Sequence, residues 1–407
     1  MSQDRKIVII GGGIWGLSTA YHLAKSGAGN VTVLEQNAEL ALETTPRAAG
    51  LVGQIRSSPT MMHAIHYALE LFERFKAETG HDPGLHRNGS LLVALSDERM
   101  QAYQRQVQAA GDAGIEADFV SHAEMQRLAP AMDVSKLKGG FFVAGDGFLD
   151  PRQCALAYAG AARDLGVKIE LGVQVTGLQI DKGRLCSIET SNGPIVADDA
   201  VLTAGPWTGL LARHADCALP MQPIRHQRCR TVPVDGIPDH HPVVRVTDVS
   251  CYIRPEQGGY LYGYFEHEPL SINLATRPAD FRTDDIEPPR ETMEEARRRM
   301  APIFPVLADL EIAEIKCGMT TFAPDGSYLI GPVPNVQGLY AATGCAALGI
   351  AGSAAIGSWL SRSILTGESP DELDEFDPLR FGERAADANW VRCESEEFYG
   401  NYYSIRP

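Results

Sequence analysis

The stretch from Lys6 to Glu35 constrains this chain more than any other. An apolar run, Lys6 to Ile10, leads into Gly11-Gly12-Gly13-Ile14-Trp15-Gly16, then a helical segment, a second apolar run from Val31 to Leu34, and an acid, Glu35. Glycines at these spacings between a strand and a helix make a phosphate-cradling turn. Gly11 permits the tight turn, Gly13 lets backbone approach a pyrophosphate, and Gly16 lets the helix pack closely on the strand, with the helix N-terminus facing the phosphates. Glu35, nineteen residues after Gly16, is placed to accept hydrogen bonds from a ribose diol and disfavours a 2′-phosphate. The unit reads as a dinucleotide site, with Ile14, Trp15 and Gln36 among its contacts.

The next segment chooses between dinucleotides. Thr44-Thr45-Pro46-Arg47-Ala48-Ala49-Gly50-Leu51 is built of small residues just past the second strand, and so suits close approach along a flat ring and its ribityl chain. Nicotinamide dehydrogenases lack such a segment, so the expected cofactor is FAD.

A chain of 407 residues, 44% hydrophobic and 22% charged, can bury a large core, and its length favours two domains. Its formal charge of −16 argues against nucleic acid as a partner while leaving a small acidic substrate open to a locally basic pocket. Ile7 to Ile10 is a short strand rather than a signal region, and no run reaches the ~18 apolar residues of a membrane span. The expected location is therefore cytoplasmic, with no membrane insertion. Eight cysteines without a CxxC pair indicate neither zinc nor a disulfide framework. The histidine pairs His63/His66 and His240/His241 lack further ligands, so no metal is expected.

Periodicity outlines the rest. Pro59 to Lys76 and Glu98 to Ala110 read as helices, His86 to Leu95 as strands around Asn88-Gly89, Ser121 as a helix cap, and Cys154 to Leu165 as a helix. Lys168 to Glu189 reads as strands, with Val175 assigned to the cofactor site, and Ala200 to Gly205 as a buried strand ending in a glycine turn. Met221 to about Cys317 reads as the larger strands of a separate sheet, followed by a strand at Leu339 to Gly344 and a glycine-spaced helix from Leu348 to Leu365. The expected fold is α/β: a discontinuous FAD-binding Rossmann-like domain of the glutathione-reductase type (1–85, 148–220 and 320–407) plus a smaller α+β substrate domain with a large antiparallel sheet (86–147 and 221–319).

These residues carry a family resemblance. The glycine loop, Ala48-Ala49-Gly50-Leu51, Gly147-Phe148-Leu149-Asp150-Pro151, Ala204-Gly205-Pro206-Trp207, His226-Gln227, Ser327 to Pro332 and Phe376 to Gly382 make the chain similar to FAD-dependent amine oxidases of the D-amino-acid-oxidase superfamily, and within it to the flavin half of dimethylglycine and sarcosine dehydrogenases. The resemblance implies oxidation of the C–N bond of a secondary or tertiary N-methylated amino acid to an imine, which hydrolyses to aldehyde and amine. Oxygen or an electron-transfer partner would be the acceptor, and an oligomer is compatible. Two alternatives stay open: a glycine or D-amino-acid oxidase, and a non-catalytic flavin-binding subunit of an electron-transfer complex. The dehydrogenases have a folate-binding half that this sequence lacks, so formaldehyde would leave free or pass to a partner. They also attach the flavin through a histidine where this chain has Arg47. Cys317 lies one residue out of step with the cysteine that attaches flavin in monomeric sarcosine oxidases, so the FAD is expected to be non-covalent.

The resemblance also places His226 and Tyr252 on strands facing the flavin as a catalytic pair that holds substrate and assists proton removal. Arg228, two residues from His226, offers a fork for a carboxylate, and Tyr262 and Tyr264 alternate on another strand as further substrate contacts. Arg56 either polarises the flavin or ties down its loop. Ala204, Gly205, Trp207, Gly344, Leu348, Gly349 and Ile350 complete the expected cofactor contacts, the last helix aiming its positive end at the flavin.

Overall fold

The computed structural model describes residues 5–405; residues 1–4 and 406–407, the outer ends of the expected nucleotide domain, lie outside the described residues. Ile7–Ile10 is buried at every position, the mark of a strand covered on both faces. It sits inside a six-stranded sheet, between Val31–Glu35 and Asp199–Leu202, to both of which it pairs in parallel. Lys168–Leu171 closes one edge, while Leu339–Thr343 and the antiparallel Leu329–Pro332 complete the other. Alternation sorts the first strand: Ile7 and Ile9 enter a helix layer, whereas Val8 and Ile10 face the small sheet of Val175–Asp181, Arg184–Thr190 and Ile195–Val196. Because the next strand lies on one side of Ile7–Ile10 and the much later Asp199–Leu202 on the other, the order reverses here and a crevice opens at the strands' carboxyl ends.

The helix layer is Ile14–Lys25 with Pro151–Asp164 and Ser353–Thr366 beside it. Contact is close enough that a Cβ on Gly357 would lie 2.4 Å from Ser18 Oγ. The helix expected from Leu348 begins only at Ser353. Ala346 and Ala347 both have positive φ, so the chain makes an irregular turn first. The segment Leu348-Gly349-Ile350 therefore approaches the crevice as a turn, not as a helix N-terminus.

The second sheet has eight strands, in the order Ile312–Phe322, Gln222–Thr231, Gly259–Tyr264, Cys251–Glu256, Val243–Val246, Ser90–Ala94, Gly139–Val143 and Asp118–Phe119. All neighbours are antiparallel except Val243–Val246 with Ser90–Ala94. That parallel seam is where the chain's two visits to the sheet meet. One face is apolar and packs Cys229, Ile253, Tyr262 and Tyr264 against Met293, Ala296 and Met300 of the helix Arg290–Met300. The tail departs from the expected boundaries: within 320–407, Ala388–Gly400 packs on the strands of this second sheet, and Phe398, Tyr402 and Tyr403 join its cluster around Phe265. No helix among the described residues is long and apolar enough to cross a membrane.

Candidate active site

The glycines of the first loop divide by what a side chain would meet. A Cβ on Gly11, where φ is +116°, would lie 2.5 Å from Thr203 O, and one on Gly16 would lie 2.0 Å from Gly11 O; both are demanded by the protein's own packing. A Cβ on Gly13 would meet nothing closer than Thr45 Oγ1 at 3.5 Å. Its smallness serves the crevice, not the fold. Glu35 is held by Gly12 N at 2.8 Å on one oxygen and by Asn37 N and Nδ2 at 2.8 and 2.9 Å on the other, which leaves acceptor capacity for a diol.

From Glu35 a cavity of about 710 Å³ runs past the glycine loop to the second sheet. Its walls include Gly11, Gly13, Ile14, Trp15, Gln36, Val175, the whole of Thr44–Leu51 except Pro46, Ala204, Gly205, Trp207, Leu348, Gly349 and Ile350. Gly16 and Gly344 lie outside it; Gly344, at φ +71° against Leu329 N, shapes the turn behind the wall. A long slot with an acid at one end, bare backbone at the glycines and small residues along its middle fits FAD.

His226 and Tyr252 line the far end. His226 Nε2 is 3.1 Å from Tyr252 OH and Nδ1 is 2.9 Å from Tyr399 OH, with the ring 4.4 Å from that of Phe265. Burial pulls the imidazole down to a pKa of about 3 and pushes the Tyr252 phenol up, so both are neutral at pH 7. Tyr252 lies across the neighbouring strand over Gly263, whose Cβ would fall 2.1 Å from the phenol oxygen.

Three expected substrate contacts are elsewhere. Tyr262 pairs with Cys229 and Ile253, and Tyr264 with Gln227 and Cys251; this register places both on the sheet's opposite, apolar face. Arg228 does share the His226 face, but Nε donates to Arg47 O at 3.1 Å and Nη2 to Pro46 O at 3.2 Å. With Arg254, whose Nε donates to Ala49 O at 2.8 Å, it braces the small-residue segment from outside the cavity. Arg228→Leu is therefore expected to weaken FAD retention several-fold while leaving substrate affinity of the loaded fraction unchanged. Dialysis followed by flavin quantification checks it, and undiminished retention with lost substrate affinity would restore Arg228 to the substrate.

Two guanidiniums take the place expected of Arg228. Arg245, directly opposite Tyr252 in the sheet, and Arg56 both line the cavity. Arg56 Nε and Nη2 are buried without a hydrogen-bond partner among the described residues, and its pKa is pulled down by burial first and by Arg245 second. Phe265, Tyr402 and Tyr403 complete this end, with Phe265 and Tyr402 stacked at 4.0 Å and Arg245 Nη1 3.4 Å from Tyr403 OH. A charged residue inside Val243-Val244-Arg245-Val246 was the available signal, since a guanidinium in a fully apolar strand needs a reason. The tail tyrosines carry no such mark.

Gly318, not Cys317, lines the cavity; it pairs with His226, whereas the Cys317 thiol turns to Ile286 O on the other side. Arg47 directs its guanidinium to the carbonyls of Leu42 and Glu43 and to Asp284.

Burial also holds His22 and His241 at about 4. His22, His241 and the half-buried, cavity-lining His226 all return to about 6.5 on unfolding, so the unfolded chain binds more protons below that pH. Their stabilisation is full above about pH 6.5 and is lost as pH falls toward 4. Because the raised pKa values of Glu35, Asp146 and Asp199 act the opposite way, the check is differential: the urea midpoint should drop further between pH 7 and pH 5 than in His22→Asn, and equal drops would contradict the assignment.

The chain belongs to the family of FAD dependent oxidoreductases, whose sequence profile matches residues 6–363. It is 31% identical to mitochondrial dimethylglycine dehydrogenase of Rattus norvegicus over 98% of this chain and 47% of that protein. To mitochondrial sarcosine dehydrogenase of Mus musculus it is 30% identical, over 100% of this chain and 44% of the other. It thus spans about half the length of these relatives. The structure superposes on L-proline dehydrogenase from P. horikoshii with a TM-score of 0.83 at 24% identity, covering 93% of this chain and 97% of that one, which shows a shared fold.

Proposed function

We propose that this protein oxidises the C–N bond of a secondary or tertiary N-methylated amino acid to an imine, with sarcosine-like and dimethylglycine-like compounds as the substrate class. The observation that carries this reading is the far end of the cavity: a neutral His226–Tyr252 pair beside two buried guanidiniums, one with unpartnered donors. FAD, when bound, accepts the two electrons. The chain's own groups then have limited work. Arg56 and Arg245 hold the carboxylate, because a planar fork matches its two oxygens. His226, uncharged and fixed between two phenols, holds the Tyr252 hydroxyl in place, and Tyr252 donates its hydrogen bond to the substrate. Phe265, Tyr402 and Tyr403 exclude water and offer aromatic faces to N-methyl groups. The half-length match to the dehydrogenases leaves oxygen and an electron-transfer protein as acceptors to be compared.

The test is anaerobic mixing of the FAD-loaded protein with sarcosine, dimethylglycine, glycine, proline and D-alanine, following flavin absorbance near ~450 nm, a property of the cofactor. Bleaching by the N-methyl amino acids supports the proposal. Bleaching only by glycine or D-alanine replaces it with the primary-amine oxidase reading, and none at all with full FAD favours a non-catalytic flavin subunit.

A further inference from the structure

Behind the two guanidiniums lies a carboxylate that does not line the cavity. Asp146 is 1% exposed, and its Oδ1 accepts from Gln54 N at 2.9 Å and Gln54 Nε2 at 3.1 Å. Gln54 is steadied in turn by His66 Nδ1, 2.9 Å from its Oε1. Burial pushes this carboxyl's pKa up, and the two donors on one oxygen together with the nearby Arg245 charge act against that and favour the ionised acid. A Cβ built on Gly53 would lie 2.6 Å from Arg245 Nη2 and 3.1 Å from Asp146 Oδ2. The acid and the guanidinium therefore converge over a residue that has no side chain to part them. Asp146 also acts on Arg56 through space.

We infer that Asp146 is a specificity-determining, positioning residue: by cancelling one of the two guanidinium charges it leaves this pocket a single net positive charge, which selects amines bearing one carboxylate over those bearing none or two. The inference rests on the proposal that Arg56 and Arg245 face the substrate. The other charged wall residues among those described have partners of their own: Arg47 turns to the carbonyls of Leu42 and Glu43 and to Asp284, and Arg277 lies over the Phe281 ring. His226 is neutral, the tyrosines are neutral, and the acidic wall residues Glu35 and Glu43 are engaged elsewhere, with Gly12 and Asn37 and with Thr283. A neutral amine with one carboxylate balances the pocket. A dicarboxylate leaves one negative charge without a partner in a dry site, and an amide leaves the positive charge unmatched, both costly arrangements.

The test uses ligands that bind without reacting: methoxyacetamide, methoxyacetate and diglycolate, ethers with zero, one and two carboxylates in which oxygen replaces the amine. They are titrated into the FAD-loaded protein by calorimetry and by perturbation of the flavin spectrum. The unaltered protein should prefer methoxyacetate. Asp146→Asn should raise the diglycolate-to-methoxyacetate affinity ratio by at least about tenfold, since one uncompensated buried charge is worth that much or more, and Asp146→Glu should restore the original ratio. An unchanged ratio in Asp146→Asn with full FAD overturns the inference. If that variant does not hold FAD, the pair Arg56→Gln and Arg56→Gln/Asp146→Asn decides. The single change removes the net charge and should weaken methoxyacetate, and the double change should recover it at least about tenfold; no recovery overturns the inference. The underlying proposal fails separately, if Arg56→Gln and Arg245→Gln both leave methoxyacetate affinity unchanged.

Discussion

Gly13→Val is expected to yield a folded but nearly colourless protein. The position has extended backbone, φ −80° and ψ 177°, which valine adopts readily, and its Cβ would meet only Thr45 Oγ1 at 3.5 Å. The fold therefore tolerates the side chain. The added methyls project instead into the cavity beside the N-terminus of Ile14–Lys25, which has no side-chain cap at Gly13 and whose free N–H groups are the natural partners of the pyrophosphate. Retained flavin after purification should drop by more than tenfold while circular dichroism stays the same. A fully yellow variant would contradict the assignment of this turn. Gly16→Val is the contrasting control: with Gly11 O at 2.0 Å from its Cβ, it should fail to fold, not merely to bind.

His226→Ala should keep its FAD spectrum and lose its chemistry. The ring touches the cavity, Tyr252 and Tyr399 but none of the glycine loop, so cofactor retention has no reason to change. Losing the ring that fixes the Tyr252 hydroxyl should slow anaerobic flavin reduction by about 10²-fold or more. Unchanged reduction would remove His226 from the mechanism. The pH dependence sharpens the point. With His226 held at about 3 and the Tyr252 phenol raised, neither group titrates between about pH 5 and pH 9. The reduction rate should rise with pH, tracking only deprotonation of the substrate ammonium, and a step near pH 6.5 would mean that His226 is not desolvated.

What could be read from the chain alone was whatever depends on neighbours in sequence. The turn Gly11 to Gly16, Glu35 at the next strand's end, the small residues 48–50 and the Ser121 cap act over a few residues, so their chemistry is visible in spacing. Even within one strand the alternation held: His226 and Arg228 do share a face. Tertiary structure decided which face, against what, and with which partners. Tyr262 and Tyr264 are two apart, as a site-facing pair would be, yet pairing with Cys229 and Gln227 turns them into the core; register is a relation between strands and leaves no trace in either one. Arg245 is marked by its valine neighbours and Arg228 is not, yet it is packing that sends Arg228 to the carbonyls of Pro46 and Arg47 and Arg245 into the cavity. Tyr402 and Tyr403 reach the site because Ala388–Gly400 docks on the second sheet, in part on Gln222–Thr231, more than a hundred positions away in the chain. Local chemistry thus determined that FAD could be held, whereas long-range packing decided which side chains wait at the end of it.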